Sequence, residues 1–429
     1  MRIGLFTDTY RPSINGIVFV VESLQTHLEA MGHEVYVFCP ARSVRPSKTA
    51  ERFDEDEYII RFPSVKGAFY DDYDTSFFFP PRVMMQVREL DLDMIHILTP
   101  GQVGLMGIQA AWVNKVPFVI QHCTDLYEFV EHYPAVLPGA LALITLVVPF
   151  TVRLQGKDIK ELIKLYRPRR GATEWNQDII EKAITIVYSK ADAVITLSRK
   201  STDQLASWQQ GDKFKYPLVM MPNGVDPIKP ASASELKAFR KRWNIDEQDE
   251  VYGFVGRLGE EKNLPVLIEA LGTVLKSRPH ARLLFVGDFE FREELERIAQ
   301  ATTYSDRVTF TGAIARDQLG AAYAAMDVFT FPSLKDTQAW VLHEAALAQL
   351  PIVLIDRELS EVFEDGKSGY FASDDARDVA DKIVNLLEDP AKRAEFGAYG
   401  STLAQQYTEE SQVKKLTDLY ETIIQDHQA

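Results

Sequence analysis

The sequence predicts an α/β protein of two domains, each built on a parallel sheet. Three observations predict it. The first forty residues run strand, loop, helix, strand. The same alternation restarts at Val251. Between the two, Pro222-Asn223-Gly224-Val225-Asp226-Pro227 concentrates the turn-forming residues expected of a domain boundary. With 429 residues, 46% of them hydrophobic, the chain is long enough for two or three cores.

Composition narrows the function classes. The net charge is −15, which argues against a general nucleic-acid binder, since those carry a basic face. Cys39 and Cys123 are the two cysteines, too few for a disulfide framework or a cysteine zinc site. The start, Met1-Arg2-Ile3-Gly4-Leu5-Phe6, reads as a strand rather than a signal peptide. The longest apolar stretch, residues 135–152, is interrupted by Pro138, Gly139 and Pro149 and falls short of a membrane span. The expectation is a cytoplasmic protein that touches a membrane surface.

In the first half, Ile3–Thr7 and Val35–Cys39 read as strands around a helix at Val18–Met31, which Gly32 ends. The loop Pro12-Ser13-Ile14-Asn15-Gly16 falls at the carboxyl end of the first strand and just before a helix. Open α/β sheets bind ligands there, and helix amides there meet phosphate. Gly16 permits close backbone approach, although an ordinary turn would use it too. Tyr58–Phe62, Met94–Leu98 and Pro117–Gln121 are further strands, with a glycine-spaced helix at Gly101–Ala111. His122 follows a strand end, where cleft residues gather, although a lone His is often a satisfied structural residue instead.

Residues 134–172 depart from the global charge. An apolar run, Leu137–Pro149, precedes Arg153, Lys157, Lys160, Lys164, Arg167, Arg169 and Arg170, with Leu154, Ile159, Leu162, Ile163, Leu165 and Tyr166 between them. A basic amphipathic helix beside an apolar hairpin is suited to an anionic membrane surface. A solvated helix packed on its own domain is the alternative.

In the second half, strand Val251–Val255 leads to Gly256-Arg257-Leu258-Gly259-Glu260-Glu261-Lys262-Asn263 and a helix at Leu264–Leu275. Two glycines and two cations, Arg257 and Lys262, converge near a helix N-terminus and suit a diphosphate. No Gly-Lys-Ser/Thr follows, so this is not a Walker A loop. The alternative is pairing of both cations with Glu260 and Glu261. Residues 329–355 then read strand, loop, helix, strand. Thr337 is the expected N-cap, with Asp336 at the mouth of the helix and Glu344 two turns further in. A carboxylate on an otherwise apolar helix needs a partner. That partner is either a polyol hydroxyl or a base elsewhere in the chain.

Taken together, the Pro12–Gly16 loop, Pro222–Asp226, Gly256-Arg257-Leu258 to Glu261-Lys262-Asn263, Val286-Gly287-Asp288, and Pro332-Ser333 through Glu344-Ala345 resemble family 4 retaining glycosyltransferases of the GT-B type. The resemblance implies two Rossmann-like domains facing across a cleft. It implies an acceptor domain at residues 1–222, a donor domain at 223–407, and a final helix at 408–429 that crosses back to the first domain. The family has a Glu, seven residues, then a second Glu, and here Asp336 and Glu344 take these positions.

By resemblance, Asp336 meets donor-sugar hydroxyls, Glu344 the nucleotide ribose, and Arg257, Lys262 and Gly16 the donor phosphates. Thr337 and Gln338 complete the donor loop. The catalytic set the resemblance implies is Arg257, Lys262, Asp336 and His122, although the family's His-Thr pair falls nearer Thr124 than His122. No metal or other cofactor is implied, because the cations do that work; Tyr70-Asp71-Asp72-Tyr73-Asp74 reads as a solvated loop, not a metal motif.

Asp336-Thr337-Gln338, Tyr127-Glu128 and the basic segment look most like bacterial diacylglycerol glycosyltransferases. UDP-glucose is the expected donor from its frequency in the family, the subfamily likeness implies a lipid acceptor, and the basic segment implies contact of Lys157, Lys160, Lys164 and Arg167 with the anionic inner face of the cell membrane. A soluble or polysaccharide-precursor acceptor, and a non-catalytic nucleotide-sugar-binding protein, are the alternatives.

Overall fold

A computed structural model describes residues 1–13, 15–41, 58–65, 75–76, 81–123, 148–152, 154, 156, 158, 160, 172–209, 214–334, 336, 338–359 and 361–428. The chain divides into two compact units, Met1–Asn223 with Glu409–Ala429, and Gly224–Thr408.

In chain order the first unit contains β1 (Arg2–Phe6), β2 (Glu34–Pro40), β3 (Ile59–Phe62), the short β4 (Ser64–Val65) and β5 (Thr75–Ser76), then β6 (Met94–Ile97), β7 (Phe118–His122), β8 (Ala193–Thr196) and β9 (Leu218–Met220). Seven of these form a sheet in the order β3-β2-β1-β6-β7-β8-β9, and β4 pairs antiparallel with β5. All neighbours in the larger sheet run parallel. Such strands are covered on both faces, which explains their uninterrupted apolar runs. Phe6 stacks on Phe38 with ring centroids 4.2 Å apart.

The second unit contains β10 (Glu250–Val255), β11 (Ala281–Val286), β12 (Val308–Phe310), β13 (Val328–Phe331), β14 (Ile352–Leu354) and β15 (Gly369–Phe371). They form a parallel sheet in the order β12-β11-β10-β13-β14-β15. The chain moves outward from β10 to β12, then returns to the other side of β10 as β13. The crevice at the carboxyl ends of β10 and β13 is therefore the topological switch point, where sheets of this kind take ligands. The corresponding reversal in the first unit lies between β1 and β6. There Asp8 accepts from Thr99 Oγ1 at 2.6 Å, Gly101 N at 2.9 Å and Val103 N at 2.7 Å, so a buried carboxylate caps helix Gln102–Asn114.

The last helix, Glu409–Gln428, packs against helix Gly16–Ala30 of the first unit. The Tyr420 hydroxyl meets Nδ1 of the buried His96 at 2.5 Å, and Ser23 donates to Glu409. The basic segment of residues 134–172 lies largely outside the described residues, Lys157, Lys164 and Arg167 included. Lys160 is described and exposed. Asp158 is buried and accepts from Lys190 Nζ at 2.8 Å, so its charge is taken up inside the unit. Among the described residues no helix is long and apolar enough to cross a membrane.

Candidate active site

The second unit carries five of the sequence-predicted residues, Arg257, Lys262, Asp336, Gln338 and Glu344, in the loops at its switch point or on the helix that leaves it. Strand β10 ends in Gly256, held at φ 146°, and β11 ends in Gly287 at φ 142°. A Cβ on Gly287 would lie 1.8 Å from the Gly256 carbonyl oxygen. Only glycine allows the two strand ends to approach this closely. The loop after β10 is then tied to the one after β11, because Leu258 N donates to Asp288 O and Phe291 N to Leu258 O. Arg257 projects from this tie. Its guanidinium sits over the Phe289 ring, 4.7 Å from the centroid, and 3.6 Å from Glu261, with the side chain 54% exposed.

Lys262 does not pair with Glu260. It closes a short 3₁₀ turn, Glu260–Lys262, and donates from Nζ to Asp336 Oδ1 at 2.6 Å. The two side chains are 12% and 16% exposed. This ion pair joins the loop after β10 to the loop after β13 across the switch point. Asn263, left-handed at φ 55°, ties the same loop to the segment after β15 by donating to Asp374 Oδ1 at 2.7 Å. The helix after β13 is Trp340–Leu347, and its N-cap is Ala339, with no side-chain cap bond. Thr337, expected as that cap, lies outside the described residues and sits two positions too early. Gln338 is half-buried in the same loop.

Glu344 is 4% exposed. Arg316 Nη1 donates to its Oε1 at 3.0 Å and the Tyr323 hydroxyl to its Oε2 at 2.8 Å. The base that the sequence left unidentified is therefore Arg316. Burial pushes the Glu344 carboxyl above its ordinary range, and Arg316 and Tyr323 pull it back. Sequence reading missed Arg316, Tyr323 and Phe289. Arg316 and Tyr323 come from the crossover between β12 and β13, a 3₁₀ turn Arg316–Gln318 followed by helix Leu319–Ala324. Their spacing of seven residues, two helical turns, was the available signal.

In the first unit, Gly16 opens helix Gly16–Ala30, with Asn15 as N-cap accepting from Val18 N. A Cβ on Gly16 would meet no atom within 4 Å. Packing within the chain therefore does not require glycine there. His122, at the end of β7, is 1% exposed, and its Nδ1 lies 2.8 Å from the Tyr188 hydroxyl, the rings edge to face.

His343, next to Glu344, is 2% exposed and packs edge-on to Tyr407. Burial lowers its pKa to about 4. The unfolded chain thus binds a proton below pH 6.5 that the folded chain refuses until about pH 4. Stability is full above 6.5 and declines toward 4, by roughly 3 kcal/mol from this residue. Thermal melts of the His343→Gln variant should show a shallower decline over that window than those of the unaltered chain.

The family model described as Glycosyltransferase Family 4 matches residues 14–229, half of the chain. The chain belongs to glycosyltransferase family 4. A second model, Glycosyl transferases group 1, covers residues 236–402 of this glycosyltransferase. The enzyme is 26% identical over 437 residues to the alpha-monoglucosyldiacylglycerol synthase of Acholeplasma laidlawii, covering 99% of this chain and 98% of the relative. It is 28% identical over 357 residues to the synthase of the same name from Streptococcus pneumoniae, covering 82% and 70%. Among solved structures, Anabaena Alr3699/HepE in complex with UDP and glucose superposes with a TM-score of 0.67 at 18% identity, covering 98% of this chain and 99% of that one. That likeness establishes the GT-B fold.

Proposed function

We propose that this glycosyltransferase moves a glucosyl group from UDP-glucose to a hydroxyl of a diacylglycerol-type lipid, with retention at the anomeric carbon. The observation that carries this reading is the likeness to a monoglucosyldiacylglycerol synthase along the full length of both chains. The second unit suits the donor. Arg257 and Lys262 neutralise the diphosphate, Asp336, Thr337 and Gln338 are the contacts assigned to the sugar hydroxyls, and Glu344 accepts from the ribose. By the resemblance, Gly16 is the phosphate contact of the first unit.

The chemistry balances without a protein nucleophile. The bond from the anomeric carbon to the diphosphate oxygen breaks through an oxocarbenium-like state. The acceptor oxygen bonds to the same face, and its proton passes to the departing phosphate. Charge develops on the diphosphate, and each well-placed cation there contributes about 3–4 kcal/mol to the transition state. Arg257 and Lys262 supply the charge that a divalent ion supplies in metal-dependent transferases, so the reaction needs no added metal. His122 is buried and held by Tyr188, so any part it takes on the acceptor side is through the backbone end of β7 that it anchors.

The acceptor is reached at the inner face of the cell membrane, where Lys157, Lys160, Lys164 and Arg167 attract anionic lipid. Nucleotide release from UDP-glucose is measured with and without anionic vesicles containing diacylglycerol. Release that requires the lipid, and that falls when these four cations are neutralised, is the expected result. Equal release without vesicles would overturn the lipid acceptor. No release from UDP-glucose alongside release from GDP-mannose would overturn the donor.

A further inference from the structure

The buried carboxylate of Glu344 is held, one donor on each oxygen, by groups that no motif marks. Arg316 occupies one position on Oε1 and Tyr323 one on Oε2. A carboxylate has about four acceptor positions, two on each oxygen. One position on each oxygen is thus left over, and the pair of them matches two vicinal hydroxyls. The two donors differ in character. Tyr323 is 1% exposed and fixed by packing, whereas the Arg316 side chain is 48% exposed and brings charge from the rim. Both belong to the β12–β13 crossover, while Glu344 belongs to the helix after β13. Their meeting is a product of the fold.

We infer that Arg316 and Tyr323 are positioning residues that keep Glu344 ionised and turned so that its free acceptor positions receive the ribose cis-diol of the donor nucleotide. This rests on the donor reading above. Without Tyr323 the carboxylate can rotate away. Without Arg316 it protonates at higher pH and becomes a donor on one oxygen. Arg316 and Tyr323 are the groups that act on its ionisation, and the adjacent His343 is neutral above about pH 4.

The test compares affinities of the full-length protein for UDP and for 2′,3′-dideoxy-UDP by calorimetry, with GDP and its dideoxy analogue as a second pair. The readout is the ratio of the two affinities, because a purely structural lesion weakens both nucleotides alike. The unaltered protein should prefer the ribonucleotide by about tenfold or more, the range for hydrogen bonds to a charged group. Glu344→Gln, Arg316→Gln and Tyr323→Phe should each reduce that preference to near unity. Arg316→Lys, which keeps the charge, should retain most of it. In Arg316→Gln the acid side of the binding profile should also move to higher pH.

Loss of the preference in Glu344→Gln with wild-type ratios in the Arg316 and Tyr323 variants would overturn the inference and leave the donor reading intact. Failure of the unaltered protein to bind any of these nucleotides would overturn both. Thermal melts of each variant identify a misfolded protein, and Arg316→Lys provides the reading if Arg316→Gln does not fold.

Discussion

Arg257→Ala should lower turnover by about 100- to 1,000-fold, the usual effect of removing one charge-stabilising donor. Its melting behaviour should hardly change. The side chain is 54% exposed, its ion pair with Glu261 is long at 3.6 Å, and its contact with Phe289 is a rim contact. Such surface interactions contribute about 1 kcal/mol or less each. The positions of Gly256 and Leu258 are set by backbone bonds to the loop after β11, which survive the substitution. Steady-state nucleotide release combined with a thermal melt checks both halves. Near-normal turnover would remove Arg257 from the diphosphate site, and a large loss of stability would make its role structural.

Lys262→Ala should be costly in both respects. The side chain is 12% exposed and bonded at 2.6 Å to an Asp336 that is 16% exposed. Removing one partner of such a pair leaves a desolvated charge, at a cost of about 3 kcal/mol or more when burial is complete and somewhat less here. On the proposed donor reading, turnover should fall at least as far as in Arg257→Ala, because the substitution removes a cation from the diphosphate and also takes from Asp336 its 2.6 Å ion-pair partner. The double variant Lys262→Met with Asp336→Leu separates the effects. Apolar replacement of both members of a buried pair is often neutral for stability. Urea unfolding should therefore show stability recovered in the double variant while turnover stays lost. Recovery of turnover along with stability would reduce the pair to a structural clamp.

Much of this molecule was legible in its sequence. The runs Val251–Val255 and Ile352–Ile355, the glycines at strand ends and the turn cluster at Pro222–Pro227 are local signals, and each marks an element or boundary within one or two residues. That Arg257, Lys262 and Asp336 stand in the loops that follow β10 and β13 was legible for the same reason, since the strands before them are local apolar runs. The helix after β13 is capped at Ala339 without a side-chain bond, although Thr337 has the better capping side chain.

Sequence by itself determined the two α/β units, the order of their strands along the chain, and which loops carry charge. Hydrophobic periodicity and turn chemistry act over a few residues and are written there. Tertiary structure alone decided the partners. Lys262 reaches Asp336, 74 residues away, because the sheet places β13 beside β10 after two strands have gone to the other side. Glu344 receives Arg316 and Tyr323 because the β12–β13 crossover returns over the next helix. Tyr420 meets His96 across 324 residues because the last helix packs on the first unit. A charged or polar side chain carries no local record of its partner; strand order decides which ends meet, and burial then makes the pairing obligatory.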